Sequence, residues 1–62
     1  MELIIEGKRK KTKNYKTLKE LIKSEKINLE IYLVKKDNQI ILEDEQLNDE
    51  DVLEFIKVVS GG

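Results

Sequence analysis

The 62-residue sequence has no cysteine, histidine, proline or tryptophan, one phenylalanine and two tyrosines. Without cysteine there can be no disulfide, no thiolate nucleophile and no cysteine-ligated zinc. Without histidine the usual general base and the commonest metal ligand are missing. Long apolar runs are absent too: the longest, Ile31 to Val34, is four residues, far short of the roughly 20 that cross a bilayer. The start, Met1-Glu2-Leu3-Ile4-Ile5-Glu6, lacks the cationic opening and apolar stretch of a secretory signal. These absences fit a cytoplasmic protein with no membrane partner. A chain this short buries only about 60% of the surface it exposes unfolded. It has room for one small core and none for a deep catalytic pocket.

What the sequence does have is charge, at 40% of residues, with a net value of -1. The two signs are segregated. Residues 1–36 carry 11 basic and 5 acidic side chains, and residues 37–62 carry 1 basic and 8 acidic. The balance is therefore +6 against -7, which suggests separate surfaces for separate partners.

Apolar patterning predicts six elements. Glu2 to Glu6 reads as a strand bounded by Gly7, and Arg9 to Lys13 as a second, polar strand at a sheet edge, guarded by its lysines. Thr17-Leu18-Lys19-Glu20 is a capping box, with the Thr17 hydroxyl on the Glu20 N–H and the Glu20 carboxylate on the Thr17 N–H. Leu18, Leu21 and Ile22 then recur at helical spacing, and the helix should end near Lys26. Ile31 to Val34 and Ile40 to Leu42 are further strands about an Asp37-Asn38 turn. The acidic stretch Glu43 to Asp51 has a single apolar anchor, Leu47. Val52 to Val59 forms the last strand, and Ser60-Gly61-Gly62 is a tail. The organisation is one domain over residues 1–59 followed by a flexible tail, 60–62.

The first and last strands are the most apolar, which places them at the sheet centre. Laid side by side across the helix crossover they run parallel. A β-β-α-β-β-β order with a mixed sheet and one helix on one face is the β-grasp arrangement, an α+β fold. Parity extends the reading. Glu54 is charged and belongs outside, so Leu53 and Phe55 face the helix while Ile56 and Val58 face away. Likewise Leu3 points in and Ile4 points out. Ile4, Ile56 and Val58 would form an apolar patch with no helix left to cover it, the mark of a partner interface.

Four groups are candidate sites. Gly61-Gly62 has no Cβ to clash and can thread a narrow partner channel; its one reactive group is the Gly62 carboxylate. The basic run Lys8-Arg9-Lys10-Lys11-Thr12-Lys13 has no interleaved aromatic. It reads as a solvated hairpin or electrostatic docking surface rather than a nucleic-acid site. The acidic cluster Glu43-Asp44-Glu45 with Asp49-Glu50-Asp51 lacks the spacing and mid-loop glycine of a calcium loop, so no metal is expected. Ser60 has no base beside it, and its small size suits the base of a threading tail.

The β-grasp order, the length and the ending Ile56-Lys57-Val58-Val59-Ser60-Gly61-Gly62 resemble the ubiquitin-like sulfur carriers, in particular those of thiamin biosynthesis. The strand from Gln39 and the acidic turn to Asp51 resemble them too. Asn48-Asp49-Glu50-Asp51 stands where relatives often have Asp-Gly-Asp, and the first hairpin is more basic than the resemblance leads one to expect. The resemblance implies a carrier rather than an enzyme. The Gly62 carboxylate would be adenylated with ATP by an E1-like enzyme and converted by a persulfide donor to a thiocarboxylate. Its sulfur would pass to thiazole synthase. The carrier itself binds no cofactor. Two alternatives share that activated carboxylate: the small subunit of molybdopterin synthase, serving its large subunit, and a modifier joined to target lysines.

Overall fold

The computed structural model describes residues 1–58. Val59 and the Ser60-Gly61-Gly62 segment, with the domain boundary expected there, lie outside the described residues. The elements are β1 (Glu2–Ile5), β2 (Lys8–Lys11), α1 (Leu18–Glu25), β3 (Tyr32–Lys36), β4 (Gln39–Ile41) and β5 (Val52–Lys57). They form one five-stranded sheet in the order β2-β1-β5-β3-β4. β1 and β5 are central neighbours and parallel, and the other pairs are antiparallel. The β-grasp expectation is met.

Both hairpins close through two-residue loops whose residues have positive φ: Glu6 (51°) and Gly7 (81°), then Asp37 (52°) and Asn38 (64°). Such loops match the right-handed twist of the strands they join. The first turn therefore falls at Glu6-Gly7, and the second strand starts at Lys8, which already pairs with Ile5, one residue before the expected Arg9.

Helix α1 starts at the Thr17 cap, whose hydroxyl oxygen accepts the Glu20 N–H at 3.2 Å. The other half of the capping box differs from expectation: the Glu20 carboxylate accepts the Lys16 N–H at 3.3 Å. The helix start is also held from outside. Thr17 is bridged to Gln46, which draws residues 16–18 against the acidic turn. The Leu18 N–H donates to the Glu45 carbonyl (3.1 Å) and the Lys19 N–H to the Glu43 carbonyl (2.8 Å). Helix-terminal donors that would otherwise lack partners are thus satisfied by the turn. Its carboxylates also suit the positive end of the helix dipole. The helix ends as Lys26 enters the left-handed region (φ 58°).

The core lies between α1 and one sheet face. Leu3, Leu18, Leu21 and Leu53 are fully buried, with Phe55 and Val34 nearly so. Tyr32 meets the Phe55 ring edge-on, at 6.3 Å between centroids. Leu47 is buried, which anchors the acidic turn as its isolation in sequence suggested. Ile27 and Leu29 close one end of the core.

Candidate functional site

The strand register maps the sheet face opposite the helix row by row. One row crosses all five strands as Arg9, Ile4, Glu54, Lys35 and Ile40. It is a charged band, and Arg9 also pairs with Glu2 at 2.7 Å. The next row toward the end of β5 sets Ile56 against Leu33. Beyond it the Val58 N–H donates to the Ile31 carbonyl at 2.8 Å, so the sheet holds the chain as far as Val58. On this face the charged Glu54 is therefore followed by Ile56 and Val58 toward the end from which the chain continues to residue 62.

The three patch residues expected from sequence occupy different parts of this face. Ile56 and Val58 are exposed, at 38% and 50%, and lie at the apolar end. Ile4 is half-buried in the charged band beside Glu54 and meets Ile56 only diagonally. Leu33 (40% exposed) and Leu42 enlarge the apolar end, and Ile40, exposed at the edge of the charged row, borders it. A shallow groove of about 540 Å³ runs alongside, lined by Leu29, Tyr32, Leu33, Ile40 and Leu42 and rimmed by Glu43 and Asp44. Sequence reasoning missed these leucines and Ile40 because the parity argument stopped at the central strands. The signal was available: with Val34 inward, alternation puts Leu33 outward. Ser60, Gly61 and Gly62 lie outside the described residues.

One cluster fixes the start of β5. Lys36 points from β3 to the helix side, with its side chain 14% exposed. Its ammonium meets Glu45 at 3.1 Å and Asp51 at 3.5 Å and donates to the Gln46 carbonyl at 3.1 Å. The hydrogen bond to Glu45 raises its pKa above the ordinary lysine value, and the Asp51 charge adds to this against the opposing effect of burial. Two of the six carboxylates of the acidic turn, Glu45 and Asp51, are therefore tied down rather than simply solvated. Among the described residues no group of acidic side chains is arranged to hold a metal ion, and no helix is long and apolar enough to cross a membrane.

A mixed five-stranded sheet with a single helix on one face and a central last strand defines the β-grasp, ubiquitin-like class. The model of the ThiS family matches residues 3–62, and the chain belongs to that family of ubiquitin-like sulfur carriers. Its fold is similar to the crystal structure of the thiamine biosynthesis protein ThiS from Geobacter metallireducens. That similarity has a TM-score of 0.64 over 100% of both chains, at 22% sequence identity. No curated protein sequence matches the chain.

Proposed function

We propose that this protein carries sulfur for thiamin biosynthesis as a thiocarboxylate on Gly62. The observation that carries the reading is the family match, which runs to residue 62 and so includes Gly61-Gly62. The fold supports it. β5 is a central strand, paired on both sides, and it ends beside the apolar pad of Ile56, Val58 and Leu33. A partner seated on that pad receives the chain end from a fixed direction.

The chemistry follows from the carboxylate. It is a poor electrophile, so an E1-like partner transfers AMP to it from ATP and releases pyrophosphate. The terminal sulfur of a persulfide then attacks the acyl carbon and displaces AMP. Cleavage of the remaining S–S bond by a thiol leaves the thiocarboxylate. Thiazole synthase is the acceptor in this reading. The carrier supplies docking, reach and a terminus free of side chains, while the partners supply the catalytic groups. A chain without cysteine brings no thiol of its own to compete for the activated acyl group.

The test is intact mass after incubation with ATP, an E1-like adenylating enzyme and a persulfide donor. The expected result is a gain equal to exchanging one oxygen for sulfur, abolished by deleting Gly62. An unchanged mass with no adenylate formed would overturn the reading. A gain in mass with transfer to lysines of other proteins, and none to thiazole synthase, would replace it with the modifier alternative.

A further inference from the structure

The basic hairpin has no part in the scheme above, yet the fold gives it a definite setting. β2 is the sheet edge remote from β4 and is exposed along its whole length. Lys10, on its helix-facing side, reaches Glu25 near the end of α1 at 3.0 Å. The Tyr15 hydroxyl donates to the other Glu25 oxygen at 2.6 Å and lies 3.0 Å from the Ser24 hydroxyl, which is left to donate to it. The Lys13 ammonium sits 5.6 Å from the centre of the Tyr15 ring. Lys13 and Lys23 line one shallow groove with Tyr15 between them. The edge strand, the following loop and the outer side of the helix thus form one surface. Its acidic members are Glu25, already neutralised by Lys10, Glu2, across from Lys11 and paired with Arg9, and Glu20, which accepts the Lys16 N–H. Among the described residues, Lys8, Lys11, Lys13 and Lys23 are in no ion pair.

We propose that this lysine surface is a second docking site, for an acidic protein surface, separate from the apolar pad. Two observations favour protein over nucleic acid. The free cations are all lysines, and the one arginine of the hairpin is paired with Glu2; forked phosphate recognition favours arginine. The one aromatic ring is 8% exposed and its hydroxyl is engaged, so it offers no platform for base stacking. The pairing edge of β2 is coated with lysine, which discourages strand addition and leaves side-chain contact as the mode of docking. Solvated lysines steer encounter more than they hold a complex. Rapid, salt-sensitive docking suits a carrier that must leave each partner. The pad lies on β3 and β5 on the face away from the helix, whereas the lysine surface lies on the edge strand β2 and the helix, with Lys11 alone turned to the pad's face, so two partners can hold the protein at once.

The test is NMR titration of the whole chain with a poly-L-glutamate peptide and, separately, with a single-stranded RNA of matched charge. The peptide is expected to shift the amides of Lys8 to Lys13 and Lys23, to leave Ile56 unmoved, and to bind more weakly as salt rises. The double variant Lys13→Glu, Lys23→Glu should weaken peptide binding at least about tenfold with an unchanged melting temperature. The variant Lys35→Glu, Lys57→Glu, with the same change in net charge elsewhere, should keep it. Tighter binding of the RNA than of the peptide overturns the proposal in favour of nucleic acid. Equal losses in the two double variants, or no peptide binding, overturn it in favour of unspecific charge. Concentration-dependent self-association removed by Lys13→Glu, Lys23→Glu overturns it in favour of a second copy. None of these outcomes depends on sulfur transfer.

Discussion

On the helix side of β5, Leu53 and Phe55 are 0% and 2% exposed; on the other side of the same strand, Val52 and Ile56 are 46% and 38% exposed. The residue types are alike and the backbone is shared. The difference is cover. One eight-residue helix covers the centre of one sheet face, and the described residues supply no layer on the other. The covered face carries stability, since burying an apolar side chain is worth about 1.5–3 kcal/mol. The bare face keeps the same free energy in reserve for a partner. In a domain this small the two uses compete for few residues, and strand alternation lets one strand serve both.

Truncation on each side of β5 is the most direct way to break this comparison. Phe55→Ala should cost about 3–5 kcal/mol, a large share of what so small a domain has. Ile56→Ala should cost less than about 1 kcal/mol, and Ile56→Glu should leave the fold intact while preventing thiocarboxylate formation. Urea denaturation of the variants side by side checks this, and equal losses of stability would erase the distinction between the faces.

Lys36 tests where the cover ends, because it lies on the helix-side parity of β3 but beneath the acidic turn. Lys36→Met should destabilise by about 1–2 kcal/mol, seen as a lower urea midpoint. The residues most loosened in hydrogen exchange should be 43–51 rather than the helix. Lys26 tests how the cover stops. A non-glycine residue in the left-handed region is strained, so Lys26→Gly should stabilise by about 1 kcal/mol and raise the melting temperature by roughly 4–8 °C.

The smallest expected effect is at the seam between helix and β2. The Tyr15 hydroxyl, followed by the Lys10 ammonium, holds the Glu25 pKa below its ordinary value of 4.5. The unfolded chain therefore binds this proton more readily. The contribution is complete above pH 4.5 and is lost as pH falls through the lowered value. Glu25→Gln should remove that part of the acid-side decline in a pH series of thermal melts. At the alkaline end the signs reverse. The hydrogen bond to Glu25 raises Tyr15 above 10.0, and the one to Glu45 raises Lys36 above 10.5. Their contributions are complete below those values and fade as pH rises through the raised ones.

Much of this was legible in the residues. Thr17 and Leu18, Leu21 and Ile22 mark a helix and its inner stripe by local chemistry alone. Glu54, with apolar neighbours on either side, assigns both faces of β5. Asp37-Asn38 marks a turn because both side chains tolerate the left-handed region. Less legible were features that depend on what stands across from a residue. Leu33 gives no sign of joining Ile56 until β3 is registered against β5. Lys36 is one lysine among many until the fold lays Glu45 and Asp51 beside it. The N–H groups of Leu18 and Lys19 find their partners on the acidic turn, far along the chain, and not within the capping box.

By itself, then, the sequence determined the elements, their order, the inward set of side chains and the Gly61-Gly62 ending on which the sulfur-carrier reading rests. All of these follow from periodicity and from short-range chemistry between neighbours along the chain. Only the tertiary structure decided the make-up of the apolar pad, the anchoring of the acidic turn by Lys36, and the union of β2, Tyr15 and α1 into one lysine surface. Each of those joins residues distant in sequence, and which distant residues meet is set by strand register and helix docking.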